Sequence, residues 1–197
     1  ARCLRQCYRQ LQEKVQTEQK IMATVAQIWR YPIKSHGREA LQSVPLSAGK
    51  TLPWDRHWAV AHENSTADGS VWVPCQNFSR GAKAPLLMAI TSHWDAHMRQ
   101  MHIRHPNLPD LQFNPDDAGD QKRFLKWSAP LMPENRAKSA RLIRAAECGL
   151  TDTDYPSISI GNLSSHRAVS QKLGRDLSVL RWRTNIWLDG LAPWEEF

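Results

Sequence analysis

The segment Arg181–Gly190 reads Arg-Trp-Arg-Thr-Asn-Ile-Trp-Leu-Asp-Gly and alternates apolar with polar residues along much of its length. A two-residue period is typical of a β-strand with one buried face. The segment is therefore predicted to be a strand that turns one face to the core and the other to a binding surface. The predicted core face comprises Trp182, Ile186 and Leu188; Thr184 lies at the changeover, and the predicted surface comprises Arg181, Arg183, Asn185 and Trp187.

The predicted surface carries the donors that an anionic ligand with a polar heterocycle requires. A guanidinium such as that of Arg183 offers a rigid fork of donors to a phosphate, and the amide of Asn185 adds a donor and an acceptor. An amphipathic strand with a solvated basic face fits the same residues equally well. The segment alone leaves both interpretations open.

The composition is typical of a folded, basic protein. A chain of 197 residues with 41% hydrophobic and 23% charged residues can form one domain, or two small domains that share an interface. Its formal charge of +7 favours an anionic partner: nucleic acid, an acidic membrane or a phosphorylated small molecule. The Lys and Arg residues are dispersed rather than clustered in a run, which argues against nucleic acid.

The cysteine pattern and the hydropathy predict a cytoplasmic protein that does not attach to a membrane. The four cysteines, Cys3, Cys7, Cys75 and Cys148, do not form the framework of a small secreted disulfide protein. No stretch of the sequence is long and apolar enough for a membrane span or a signal-peptide core.

Residues 1–21 differ in composition from the rest of the chain. They are rich in Gln, Arg, Lys and Glu, contain no Gly or Pro, and place apolar residues at three- or four-residue steps. This spacing predicts an amphipathic helix, appended to the domain or non-native, with Met22 as an alternative natural start. The apolar positions are Leu4, Tyr8, Leu11, Val15 and Met22.

From Thr24 onward, short apolar runs between turn residues predict a sheet or barrel with peripheral helices. Strands are predicted around residues 25–29, 41–46, 58–60, 71–73, 86–90 and 158–160, and loops at 62–70 and 106–115. One helix is predicted to begin after Asp116 or Asp117, to run through Phe124, Leu125 and Trp127, and to end before Pro130. A second is predicted over 163–173, with Ser164 as N-cap, Val169 and Leu173 on its inner face, and Gly174 as its stop.

Two further segments each allow two interpretations. Residues 133–148 fit either a helix or a strand centred on Leu142-Ile143. Residues 92–105 carry four histidines, of which His93 and His97 have helical spacing and could form a metal pair. A polar surface segment is the preferred interpretation, because the Glu arrangement of a zinc hydrolase and a nearby cysteine are both absent from this segment.

Three separated segments resemble the MOSC proteins, relatives of the C-terminal domain of molybdenum cofactor sulfurase and of the mitochondrial amidoxime-reducing component. They are Tyr-Pro-Ile-Lys-Ser at 31–35, Trp-Asp-Arg-His-Trp at 54–58, and 181–186 with Gly190 and Pro-Trp-Glu-Glu at 193–196. The loop 153–156 also resembles the family's approach to the MOSC domain. The resemblance implies an α+β, mainly β fold of two β-barrel-like modules: a MOSC N-terminal module over 22–115 and an incomplete MOSC barrel over 116–197. It also implies a strand at Leu142-Ile143.

The resemblance further implies a molybdenum-pterin cofactor held between the two modules. Without it, Lys34 and Ser35 would be interpreted as a solvated turn and Arg56 as an ion-pair partner of Asp55. Trp54 and Trp58 are expected to be core residues. The implied cofactor-binding residues are Lys34, Ser35 and Arg56 for the terminal phosphate and Arg183 and Asn185 for the pterin edge, with Asp154 and Tyr155 as contributors.

In the amidoxime-reducing branch a cysteine thiolate holds the metal, a soft ligand suited to that centre. The resemblance would place this cysteine beyond Phe197, so no metal ligand is predicted within the chain. The sequence is accordingly expected to be a fragment, with a degenerate family member as the alternative. Cys75 and Cys148 do not match the ligand motif and are expected to be small buried residues.

The function implied by the resemblance is that of a molybdenum-dependent oxidoreductase. It would reduce N-hydroxylated or N-oxidised small molecules by oxygen-atom transfer and take electrons from a separate electron-transfer protein, although the chain alone is expected to retain little cofactor. Sulfur transfer or cofactor handling is the alternative within the family, and pyridoxal phosphate binding is a further family-level possibility. A basic β-barrel that stacks single-stranded nucleic acid on Trp182 and Trp187 is the alternative from another class.

Overall fold

The computed structural model describes residues 23–146 and 149–196, and the helix predicted for residues 1–21 lies outside this part. The described residues form strands in three sheets with two α-helices, which confirms the predicted α+β, mainly β class. Neither helix is long and apolar enough to cross a membrane. The strands are β1 Thr24–Arg30, β2 Glu39–Leu41, β3 Trp58–His62, β4 Thr91–Asp95, β5 Gln100–His105, β6 Leu108–Phe113, β7 Ser139–Arg144, β8 Ile160–Asn162 and β9 Ile186–Asp189; the helices are α1 Ala118–Ser128 and α2 Leu163–Lys172.

The largest sheet joins the first described strand to the last. Its order is β2-β1-β9-β8; β9 pairs antiparallel with β1 and parallel with β8. Within this register Gln27 lies opposite Trp187. The long-range pairing brings the loop that follows β1 next to the segment that precedes β9, and the candidate site is built from these two segments.

The other two sheets share a hydrophobic core with α1. Strands β3 and β7 form a pair, and β4-β5-β6 form an antiparallel meander. Strand β5 shows the two-residue burial period, with Met101 and Ile103 facing the core. Helix α1 adds Phe124, whose ring stacks on Phe113 with centroids 4.9 Å apart. The β7 strand confirms the strand that the resemblance implied at Leu142-Ile143.

The predicted limits of α1 are correct. Asp117 is the N-cap, and its side chain accepts a hydrogen bond from the Asp120 amide at 2.9 Å. This bond satisfies one of the amide groups left unpaired at a helix start. The helix ends at Ser128, two residues before Pro130, which cannot continue the hydrogen-bond ladder.

The predicted limits of α2 are correct, but the predicted N-cap residue is wrong. Gly174 stops the helix at φ +63°, as expected of a glycine that follows a C-cap. The N-cap is Asn162 rather than Ser164: the Asn162 side chain accepts from the Ser164 amide at 2.9 Å. The helix thus begins early enough to bury Ser165 and His166, while Leu173, predicted to face inward, is exposed.

Several strand and loop predictions are wrong because short apolar runs do not distinguish strands from irregular structure. Residues 43–47 and 71–73 form no strand, Ile158 precedes β8, and Pro85–Ala89 is a 3-10 helix with Pro85 in its first turn. Conversely, 106–115 contains β6 despite its prolines. Strand β6 lies at the edge of its sheet, where Pro109 can lack a backbone donor at little cost.

The predicted faces of 181–190 are also wrong. Val179–Trp182 is a 3-10 helix, Arg183 follows it with φ 54°, and β9 begins only at Ile186. The two-residue alternation therefore does not continue back to Trp182. As a result Trp182 is 48% exposed, whereas Trp187 is only 3% exposed and packs inside.

The histidine-rich segment is a β-hairpin, so the helical spacing assumed for His93 and His97 is wrong. His93 in β4 lies opposite His102 in β5 with ring centroids 6.3 Å apart, and His97 lies in the turn between the strands. His105 is buried. Within residues 23–146 and 149–196 there is no group of three or more His, Cys, Asp or Glu side chains that could hold a metal ion.

We expect Phe124→Ala to lower the free energy of unfolding by about 3–5 kcal/mol, because it removes a fully buried ring and leaves a cavity beside Phe113. Lys126→Ala, on the exposed face of the same helix, should change it by less than about 0.5 kcal/mol. Urea denaturation of the two variants measures both changes. Equal losses would contradict the described packing of α1.

Candidate functional site

A cleft of about 750 Å³ lies among the loops that surround the β1–β9 pair. The cleft is large enough for a cofactor-sized molecule. Six cationic side chains and one carboxylate line it, so its lining is strongly positive. The cations are Lys34, Arg38, Arg56, Arg80, Arg181 and Arg183, and the carboxylate is that of Asp152.

Three residues of the cleft have a left-handed backbone that L-residues seldom adopt. Ser35, Arg56 and Arg183 have φ values of 64°, 47° and 54°. Such a conformation costs on the order of 1 kcal/mol and persists only where surrounding contacts enforce it, which is common at binding sites. One of these contacts is the hydrogen bond from the Arg56 amide to the Tyr31 carbonyl at 2.7 Å.

The ring of Tyr31 contacts the guanidinium groups of two of these arginines. The guanidinium carbons of Arg183 and Arg56 lie 4.2 and 4.7 Å from its centroid, within the range of cation–π contacts. The Tyr31 hydroxyl donates to the Thr184 carbonyl at 3.2 Å. Burial raises the pKa of Tyr31 to about 12, so the ring remains a neutral platform at physiological pH.

Arg56 is held by three partner residues on two segments of the chain. It donates to the buried carboxylate of Asp55, to the Asn185 side-chain oxygen at 3.1 Å and to the Arg183 carbonyl at 2.8 Å. Asp55 in turn accepts from the Tyr31 amide at 2.8 Å. The Asp55–Arg56 ion pair considered from sequence is therefore present, and it orients Arg56 at the cleft instead of leaving it free in solvent.

Arg183 lacks an anionic partner among the described residues. Burial, reinforced by the nearby charge of Arg56, lowers the pKa of Arg183 to about 9. Its side chain makes one long hydrogen bond, to the Gly37 carbonyl at 3.4 Å. Among the described residues no carboxylate forms an ion pair with it. An anionic ligand in the cleft would stabilise its charged form.

Lys34, Asp152 and Cys75 form one corner of the cleft. The Lys34 ammonium donates to the Leu150 carbonyl at 2.8 Å and to Asp152 at 2.5 Å, and the Cys75 thiol lies 3.2 Å from the same carboxylate oxygen. Burial acts to raise the pKa of Asp152, but the bond and charge of Lys34 outweigh it and hold that pKa below its usual value. Burial and the Asp152 hydrogen bond raise the pKa of the Cys75 thiol.

The expectation that Cys75 is buried is wrong, because its side chain is partly exposed and lines the cleft. Cys148 lies outside the described residues. Trp58 is buried in the core as expected, and Trp54 stacks on it with centroids 6.0 Å apart.

The structure brings four of the seven predicted cofactor-binding residues to the lining of one cleft: Lys34, Ser35, Arg56 and Arg183. Asn185 lies next to these residues, and its side chain is hydrogen-bonded to other protein groups. Its side-chain oxygen accepts from Ser159 and Arg56, and its amide nitrogen donates to the Trp29 carbonyl at 3.1 Å. Asn185 therefore orients Arg56 rather than presenting a free edge to a ligand.

Asp154 and Tyr155 are not brought to this cleft. They line a separate, smaller cleft of about 230 Å³ together with Trp72 and Gly149. Of that loop, the residue that reaches the main cleft is Asp152, two positions before the predicted Asp154.

Four charged or titratable residues of the lining were not predicted from the sequence: Arg38, Arg80, Cys75 and Asp152. Arg38 had a local signal, because it follows the Lys34-Ser35 turn by only three residues and Gly37 adopts φ +99° just before it. Arg80 and Cys75 lie far from the recognised segments along the chain, whereas Asp152 directly precedes the loop 153–156; only the folded loops bring all three to the cleft.

The fold and the cleft define a mainly β protein with a positively charged cleft. The model of one protein family, described as the MOSC N-terminal β-barrel domain, matches residues 22–139, which is more than half of the chain. The chain belongs to this MOSC domain family, a family associated with the molybdenum cofactor. Neither a curated protein nor a solved structure matches the chain.

We expect Asp152→Asn to increase the rate at which iodoacetamide alkylates Cys75 at pH 8. The change removes the carboxylate that holds the thiol proton and disfavours the thiolate, so the pKa of Cys75 falls and the thiolate fraction rises, up to about tenfold for each pKa unit. Peptide mass spectrometry follows Cys75 separately from the other cysteines. Asp154→Asn, two residues away but outside the cleft, is the matched control and should leave the rate unchanged.

Proposed function

We propose that the cleft binds the molybdenum-pterin cofactor through the phosphate of the cofactor. We further propose that the protein acts as a reductase of N-hydroxylated or N-oxidised small molecules. The single observation that supports this most directly is the charge of the cleft: six cations face one carboxylate. A doubly charged phosphate would offset part of this excess and would enter a site that is already oriented.

The donors that remain free match a phosphate group. An arginine has five N–H donors, and Arg183 engages one of them with the described residues. Lys34 has three donors and engages two. The hydroxyl of Ser35 also lines the cleft. Arg183 would therefore contribute most of the hydrogen bonds to a bound phosphate, with Lys34 and Ser35 on the opposite loop.

The chemistry that the bound cofactor would supply is two-electron transfer of an oxygen atom, with electrons from a separate electron-transfer protein. The residues of this chain would bind and orient the group. Arg56, fixed by Asp55 and Asn185, would supply positive charge without further rearrangement. The same site would also serve cofactor handling or sulfur transfer, the alternative within the family.

The structure weakens the nucleic-acid alternative. That hypothesis placed successive bases on Trp182 and Trp187, but Trp187 is buried between β1 and β8 and has no exposed ring face. One exposed tryptophan beside a concave cleft fits a small ligand better than a tracked single strand.

Molybdenum content tests the proposal in protein made from its complete reading frame, in cells that synthesise the pterin cofactor. We expect Lys34→Gln and Arg183→Gln each to weaken retention by about 10- to 100-fold, because each removes charge-assisted hydrogen bonds to the phosphate. Arg136→Gln removes the same charge from an exposed position outside the cleft and should retain molybdenum like the parent.

Two results would contradict the proposal. One is equal molybdenum content in the parent and in both cleft variants. The other is a parent without molybdenum whose binding to an oligonucleotide falls steeply with salt, which would favour the nucleic-acid alternative.

A further inference from the structure

Three arginines of the cleft remain after the phosphate donors are assigned. Arg38, Arg80 and Arg181 form no ion pair with any residue in 23–146 or 149–196. A single phosphate carries about two negative charges, fewer than the cleft's excess of cations. The lining therefore has the capacity for a second anionic group.

These arginines lie on three different loops around the same cleft. Arg38 follows β1, and its guanidinium is anchored by the carbonyls of Met88 and Ile90, the latter at 3.3 Å. Arg80 lies between two 3-10 helices of the β3–β4 connection, and Arg181 lies in the 3-10 helix before β9. Arg80 and Arg181 make no side-chain hydrogen bond with the described residues beyond the contact of Arg181 with Trp182, so their donors are available.

Trp182 adds an aromatic surface next to Arg181. The indole is 48% exposed and lines the cleft, and the Arg181 guanidinium carbon lies 5.6 Å from its ring centroid. Its N–H donates to His166 Nδ1 at 3.0 Å, and His166 Nε2 bonds to the Leu177 carbonyl at 2.9 Å. Because the carbonyl can only accept, His166 carries its proton on Nε2 and leaves Nδ1 free to accept from the indole.

This chain of two hydrogen bonds fixes the orientation of an exposed tryptophan. A large aromatic ring left in solvent gains nothing for the fold from that orientation, but an oriented indole face next to free guanidinium groups can stack a planar ring and bind its charge. Trp182 is the one exposed aromatic side chain among the described residues that line the cleft, and it lies there together with arginines that form no ion pair.

We propose that Arg80, Arg181 and Trp182 form a second subsite, which binds a planar aromatic ring that carries a phosphate or a carboxylate. The ring stacks on Trp182 and the anionic group accepts hydrogen bonds from Arg181 and Arg80. The subsite rests on the proposed function, in which Lys34, Ser35 and Arg183 take the phosphate of the pterin. Its ligand is either the nucleotide part of a dinucleotide form of the cofactor or an anionic aromatic substrate.

Binding of adenosine 5′-monophosphate, measured by calorimetry, tests the subsite with a ring and an anion in one molecule. We expect it to bind at least tenfold more tightly than adenosine, which lacks the anion, and ribose 5-phosphate, which lacks the ring. Arg181→Gln and Trp182→Leu should each weaken binding by about 5- to 100-fold. Trp182→Phe keeps a ring without the bond to His166 and should give an intermediate affinity. Arg136→Gln should bind like the parent.

Molybdenum content of the same variants separates this inference from the proposed function. Arg181→Gln should lower molybdenum content far less than Lys34→Gln does. Where the loaded protein carries no nucleotide, adenosine 5′-monophosphate should bind it without releasing the metal. An affinity that is unaffected by Arg181→Gln, or release of molybdenum from such protein by the nucleotide, would overturn the second subsite. A parent without molybdenum would refute the proposed function, and the effect of Arg181→Gln on nucleotide affinity would still decide the subsite.

Two measurements identify the source of the ring. About one nucleoside monophosphate released per molybdenum on acid treatment of the purified protein would identify the dinucleotide form. If no nucleotide is released, an aromatic N-hydroxy compound with a carboxylate should show a lower KM than the same compound without it, and Arg181→Gln should remove the difference. Absence of both results would overturn the inference.

Discussion

The contact of two arginines with the ring of Tyr31 is the constraint on which the site depends. Arg56 and Arg183 approach one buried ring from separate parts of the chain, and among the described residues only Asp55 forms an ion pair with either of them. This placement is unfavourable, because burial and then the nearby charge of Arg56 lower the pKa of Arg183. The aromatic face and the hydrogen bonds to backbone carbonyls offset part of this cost.

The same contact ties the site to the largest sheet. Tyr31 follows β1 directly, its hydroxyl bonds to the Thr184 carbonyl before β9, and Asn185 bonds to the Trp29 carbonyl within β1. The β1–β9 pairing therefore fixes the distance between the loop of Lys34 and that of Arg183. Since the two loops face one cleft, a change in the register of these strands would separate the donors that a phosphate must reach together.

The sequence predicted those parts of the molecule that depend on local rules. The cap of α1 at Asp117 and the stop of α2 at Gly174 follow from single residues, and the association of Lys34 with Arg183 followed from the family resemblance. The faces of Trp182 and Trp187 were exchanged because the left-handed Arg183 interrupts the strand, and a non-glycine residue in that conformation leaves no mark in the sequence. Arg80 and Asp152 reach the cleft only through tertiary contacts, which no local pattern encodes.

Asp152 offsets part of the positive charge of the cleft. Its carboxylate pairs with Lys34, and its largely exposed side chain supplies the single negative charge of the lining. Because Asp152 is largely exposed, a phosphate could replace it on Lys34 without leaving a buried charge unpaired. Arg183 differs, because it is half-buried and makes no ion pair with the described residues. If the cleft binds the phosphate as proposed, the gain in binding energy would therefore come mainly from Arg183, and Lys34 would exchange Asp152 for the ligand.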